Sequence, residues 1–130
     1  MILQGQGPSC AGTSRRVVRE ALSRHAPADL ADAAVLLVSE IVTNALCHGG
    51  GPRELTVEAD AWGITVSVSD ASPYPPLQRD QRYASGESLA ENGRGLTLLA
   101  ALADDWGWTA EATGKRVWFR LRSGPHDGEA

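Results

Sequence analysis

The stretch SEIVTNALCHGG, residues 39 to 50, carries Glu40, Asn44 and His48 at successive intervals of four. On a helix that spacing stacks a carboxylate, an amide and an imidazole in one row. The apolar Ile41 and Ala45 lie one position on, roughly 100° round the axis, so Glu40 and Asn44 border the buried face. A solvated flank with a polar C-terminus fits the same letters. Asn44 argues for more, because asparagine is a mediocre helix former and this one sits mid-helix beside the core. A carboxylate with an amide oxygen is also a hard-ligand set, suited to Mg²⁺ held mostly by waters and substrate phosphates.

Two further stretches carry chemistry. Counting by twos from Ile64 through Val66 and Val68 reaches Asp70, which puts a carboxylate on the buried face of a strand. A buried charge needs a hydrogen-bonding partner, and a ligand's amino group would serve. A strand ending at Ser69, with Asp70 opening a turn through Ser72 and Pro73, is the other placement. In ENGRGLTLLAALAD, Glu91 to Asp104, Gly93-Arg94-Gly95 leads directly into an apolar helix. Glycines let backbone N–H groups approach an anion at the positive end of a helix, and Arg94 and Thr97 suit a phosphate. Many helices begin after glycine, so the Gly-x-Gly by itself is a weak sign.

The elements that must position these residues follow from periodicity. Ser14 to His25 reads as a short amphipathic helix with arginines outside, and Pro27 starts a second helix. Leu30, Ala34, Leu37, Ile41 and Ala45 repeat at helical spacing until Gly49-Gly50-Gly51-Pro52 stops them. Leu55, Val57 and Ala59 alternate with polar residues, Ala61-Trp62-Gly63 turns the chain, and Ile64, Val66 and Val68 alternate with Thr65, Ser67 and Ser69. That is a hairpin with one apolar and one wet face. After a Pro-rich polar stretch, Ala71 to Asn92, a third helix runs from near Gly95 to Ala103. Strands over Trp106 to Ala110 and Lys115 to Leu121 follow, with Val117, Phe119 and Leu121 in phase. The order predicts a two-layer α/β sandwich, its largely antiparallel sheet covered on one face by helices.

Length and composition agree. The 130 residues, 42% of them hydrophobic, make one domain with a single core. We expect the core over about residues 14–121, with loose termini at 1–9 and 123–130. A formal net charge of −4 argues against nucleic acid as the main partner. No apolar run reaches the ~20 residues of a membrane span, since Ser39 and Glu40 break the best one, and no signal peptide is apparent. Cys10 and Cys47 lack metal-type spacing and read as reduced thiols of a cytoplasmic protein. Lys115 is the only lysine.

In this order the three motifs resemble the GHKL (Bergerat-fold) ATPases, which include gyrase-type, heat-shock-chaperone-type and histidine-kinase ATP domains. The likeness is greatest to single-domain anti-sigma-factor serine/threonine kinases and their actinobacterial relatives. SEIVTNALCHGG looks like that family's N-box and VSDASP like its adenine-binding segment. GRGLTLLAALADDWGW with GKRVWFRL looks like its glycine box and closing strands, so the resemblance runs from about Ser14 to Leu121. It implies a mixed, mostly antiparallel sheet under three helices. It also implies that Asn44 coordinates the Mg²⁺ on the ATP phosphates, Glu40 is the acid/base group and His48 shapes the phosphate end. Asp70 would accept from the adenine amino group, and Gly93, Arg94, Gly95, Leu96 and Thr97 would wrap the triphosphate. Ala71 to Asn92 would be the nucleotide lid, although Ala71-Ser72-Pro73 stands where larger relatives carry glycines. The usual first strand is at best a stub over Ile2 to Gln6. The implied activity is phosphoryl transfer to a small anti-anti-sigma-type antagonist protein, with a sigma factor and a second copy of the chain as further partners and no membrane. A nucleotide-binding module that sequesters its partner with little turnover is the alternative.

Overall fold

The computed structural model describes residues 1–3, 7–23, 27–48, 50–72 and 94–122; at Pro8, His48 and 94–97 it describes the backbone alone. Helix α1 (Cys10–Leu22) follows a 3-10 turn, Gly7–Ser9, and buries Cys10, Ser14, Val18 and Leu22 at intervals of four. It starts one turn before the expected Ser14 because Cys10 extends the buried row and its thiol donates to the Leu3 carbonyl at 3.3 Å. Weak helix formers at Gly12 and Thr13 hide that turn from the sequence. His25 lies outside the described residues.

The expected loose N-terminus does not hold for residues 1–3. Leu3 is fully buried, its N–H donates to Arg53 O at 2.7 Å, and the Leu55 N–H donates to Met1 O at 2.7 Å. Ile2 forms an antiparallel bridge with Glu54. These bonds occupy the outer edge of a strand that would otherwise offer unpaired N–H and C=O groups.

Helix α2 (Ala28–His48) starts where predicted, the Pro27 carbonyl accepting the Ala31 N–H at 3.0 Å. Its end is also as read. Gly50 and Gly51 adopt φ of 74° and 102°, and the Gly51 N–H returns to Ala45 O at 3.0 Å. By length and composition Ala28–Cys47 is apolar enough to cross a membrane, against expectation. Its Leu37, Val38, Ile41 and Val42 are instead buried in the protein core. α2 is the central helix, packed against α1, the sheet and α3 (Arg94–Leu102).

Strands β1 (Pro52–Asp60), β2 (Gly63–Asp70), β3 (Asp105–Glu111) and β4 (Gly114–Arg122) form a four-stranded sheet in the order β1-β2-β4-β3, with every described pairing antiparallel. This is the α/β sandwich the sequence predicts. Ile64, Val66, Val68 and Asp70 all point into it, as do Val117, Phe119 and Leu121. The wet face of the hairpin differs from expectation: Ser67 and Ser69 are buried. β2 is flanked on both sides, and Arg116 of β4 lies across it, donating to Ser67 Oγ at 3.1 Å. Ala59, expected to share the apolar face with Leu55, is exposed near the hairpin tip.

Gly114 opens β4 directly against the end of β2. A Cβ there would fall within the carbonyl oxygen of Asp70, a backbone atom with no room to move. Gly114→Ala should therefore destabilise the protein by about 3 kcal/mol or more. Gly12→Ala, within α1 and in open contact, should instead stabilise it by about 0.5–1 kcal/mol. Denaturant melts of the two variants check both signs.

Candidate functional site

α2 carries the first pair of predicted site residues to one end of the domain. Glu40 is half-buried, and Asn44, one turn on, is 8% exposed. Arg15 of α1 donates to Ser39 Oγ at 2.9 Å and fixes the neighbouring helix against the turn that holds Glu40. The Nδ2 of Asn44 is buried with no hydrogen-bond partner among the described residues. An amide N–H taken from water and left unmatched costs about 1–3 kcal/mol, so an acceptor that reached this atom would be favoured.

β2 carries the second. Asp70 is the last inward residue of the strand, so the strand does not end at Ser69, and Asp70 also opens the turn that follows, its Oδ1 accepting the Ser72 N–H. The chain leaving α2 meets the chain leaving β2 here, since a Cβ on Gly50 would come within 3.2 Å of the Ala71 Cβ. Asp70 already has a partner inside the protein. Directly opposite it in the β2–β4 register is Lys115, and both residues are 2% exposed. Lys115 Nζ lies 3.0 Å from Oδ2 and 3.2 Å from Oδ1, and Oδ1 also accepts the Ser72 N–H at 2.9 Å. Burial pushes the Asp70 carboxyl above the usual carboxylate range, while Lys115, the Ser72 N–H and Arg53 pull it down.

Lys115 is the site residue the sequence reading missed. Counting back by twos from Leu121 through Phe119 and Val117 lands on it, the same count that found Asp70. A lysine normally ends a strand in solvent, and that expectation masked the phase.

α3 packs against α2, so the backbone of Arg94, Gly95, Leu96 and Thr97 forms the first turn of a helix beside the one that holds Glu40 and Asn44. Their side chains, the His48 side chain and Gly93 lie outside the described residues, as does the expected lid from Pro73 onward. A separate cleft of about 330 Å³, lined by Leu3, Cys10, Leu46, Gly51, Arg53 and Ala71, contains none of the predicted site residues.

The donor set fits an Mg²⁺–nucleotide. Among the described residues no three His, Cys, Asp or Glu side chains cluster as a metal cage. A single amide beside a carboxylate suits an ion that keeps its waters and binds through phosphates, and the orphaned Nδ2 would donate to a phosphate oxygen.

A family model described as a histidine kinase-like ATPase domain matches residues 8–121. No curated protein matches the chain.

Because the buried Asn44 amide nitrogen is unmatched among the described residues, Asn44→Leu should raise the stability of the ligand-free protein by about 1 kcal/mol. The same change should abolish stabilisation by Mg·ATP, which in the parent should reach about 2.7 kcal/mol at a hundredfold excess over Kd. Thermal unfolding with and without nucleotide reads both effects.

Proposed function

We propose that the chain, which belongs to the histidine kinase-like ATPase domain family, is a protein kinase of the anti-sigma type. As a member of that family it is an ATP-binding domain. The finer reading is transfer of the γ-phosphate to a serine or threonine of a small antagonist protein. The observation that carries it is Asn44, buried with an unmatched amide nitrogen one turn from the half-buried carboxylate of Glu40.

On this reading Asn44 holds Mg²⁺ and the phosphates, and the bound ion supplies charge neutralisation. Glu40, on the rim and not in the core, takes the proton of the attacking hydroxyl as its oxygen bonds to the γ-phosphorus and the bond to ADP breaks. Asp70 takes the adenine amino group. Arg94, Leu96, Thr97 and the glycines at 93 and 95 enclose the triphosphate, with His48 at its far end. Most of the acceleration in such a site comes from positioning and charge neutralisation, so the proton acceptor should be separable from binding.

Glu40→Ala should leave Mg·ATP affinity within a few fold and lower transfer to the antagonist by about 10²–10⁴-fold. Transfer of labelled phosphate, with affinity measured in parallel, checks this. A Glu40→Ala variant as active as the parent sinks the acid/base assignment, and a parent that binds without transferring favours a partner-sequestering module.

A further inference from the structure

We propose that Lys115 is a specificity-determining residue: its ammonium holds Asp70 as an acceptor and donates to a purine ring nitrogen, so that the pair selects 6-aminopurine over 6-oxopurine nucleotides. The inference rests on the reading of Asp70 as the base acceptor and goes one residue beyond it.

The bonding capacity of the two groups carries the case. A carboxylate offers about four acceptor sites, and Asp70 uses three of them, two for Lys115 and one for the Ser72 N–H. One acceptor site remains on Oδ2, on the face the helices cover. The ammonium has three protons, and no acceptor other than Asp70 takes one among the described residues. A free acceptor and a free donor therefore stand side by side at the end of the sheet. Internal stability alone does not account for the pair, because two buried charges are seldom more stabilising than apolar residues of the same volume.

The remaining valences match one edge of a purine. Adenine presents an amino N–H beside an unprotonated ring nitrogen, which fits Asp70 next to Lys115. Hypoxanthine and guanine present a carbonyl oxygen beside a ring N–H. Placed the same way, their oxygen meets the carboxylate and their N–H meets the ammonium, so both contacts fail together. A site built on buried hydrogen bonds rejects a mismatched partner far more strongly than an apolar pocket does.

Lys115 also sets the protonation of Asp70. Among the described residues the charges facing Asp70 are Lys115 from β4 and Arg53 from β1. Arg53 is partly exposed and donates to Thr113 Oγ1 at 2.6 Å, so it does not replace the ammonium at 3.0 Å. Without Lys115, burial drives the Asp70 carboxyl further toward its protonated form, which is a donor able to meet a 6-oxo group.

The test is calorimetric titration of the full chain with Mg·ATP and Mg·ITP from mildly acidic to mildly alkaline pH. The parent should prefer ATP by at least about a hundredfold, with little dependence on pH. Lys115→Met should weaken ATP by about tenfold, and its preference should collapse below about tenfold at mildly acidic pH and recover as pH rises. If thermal unfolding shows that Lys115→Met does not fold, Lys115→Gln, a neutral donor of similar reach, should show the same pH-dependent collapse. A substituted protein that keeps the parent's preference at every pH overturns the proposal, as does a parent that binds ITP as well as ATP. Asp70→Asn separates the two layers. If it binds ATP as tightly as the parent, the reading of Asp70 itself is wrong. If it loses ATP while Lys115→Met keeps full preference, only the assignment of Lys115 fails.

Discussion

A carboxylate at the end of an apolar strand face needs a partner close by, because it is little exposed to water and an unmatched charge there costs several kcal/mol. β2 sets that demand with Ile64, Val66, Val68 and then Asp70 on one face. The antiparallel register of β2 with β4 meets it by placing Lys115 opposite. The same register brings Gly114 against the Asp70 carbonyl, where only a residue without a side chain fits. Carboxylate, lysine and glycine thus depend on one strand alignment. Removing the lysine alone from such a pair costs about 3–5 kcal/mol, whereas replacing both partners costs little.

α2 answers a second constraint, since one helix must both fill the core and carry Glu40 and Asn44 at its border. Its inner row of Ala34, Leu37, Val38, Ile41, Val42 and Ala45 is buried, and this apolarity is what gives it the composition of a membrane span. Asn44 interrupts that row at a cost, with an amide nitrogen left unmatched. A sequence shaped for stability alone would place leucine there. This departure from local consistency sits one turn from a carboxylate, Glu40, that stays half in solvent.

Much of this was legible in the letters, and the reasons differ by element. Alternation fixed the inward residues of β2 and β4 because a period of two leaves no choice once one face is apolar. The end of α2 was legible because Gly50 and Gly51 permit the left-handed backbone that stops a helix. The early turn of α1 and the attachment of residues 1–3 were not, since they rest on two contacts of Leu3, with Cys10 and with the distant Arg53, that no local periodicity encodes. Ser67 and Ser69 looked wet for a similar reason. Strand order, not strand composition, puts them beneath Arg116. Of the candidate site, the burial of Asn44 and Asp70 was legible from spacing, and the lysine paired with Asp70 was passed over on its residue type.

The two neighbouring cations of β4 show how the register is held. A slip by one residue would turn Arg116 toward Asp70 and Lys115 to the outside. Arg116 resists it from the outer face, where its fork donates to Glu111 at 2.9 Å, Glu54 at 3.2 Å, Ser67 at 3.1 Å and Thr56 at 3.4 Å. Those bonds, led by the one to Glu111, hold its guanidinium above its ordinary pKa despite partial burial. A planar fork suits such a spread of acceptors across three strands, and a compact ammonium suits a single carboxylate in a closed space. Each cation therefore sits where its geometry is used. The outer network fixes the alignment that the inner pair needs, so the outer face of the sheet helps to decide which residues meet on the inner one.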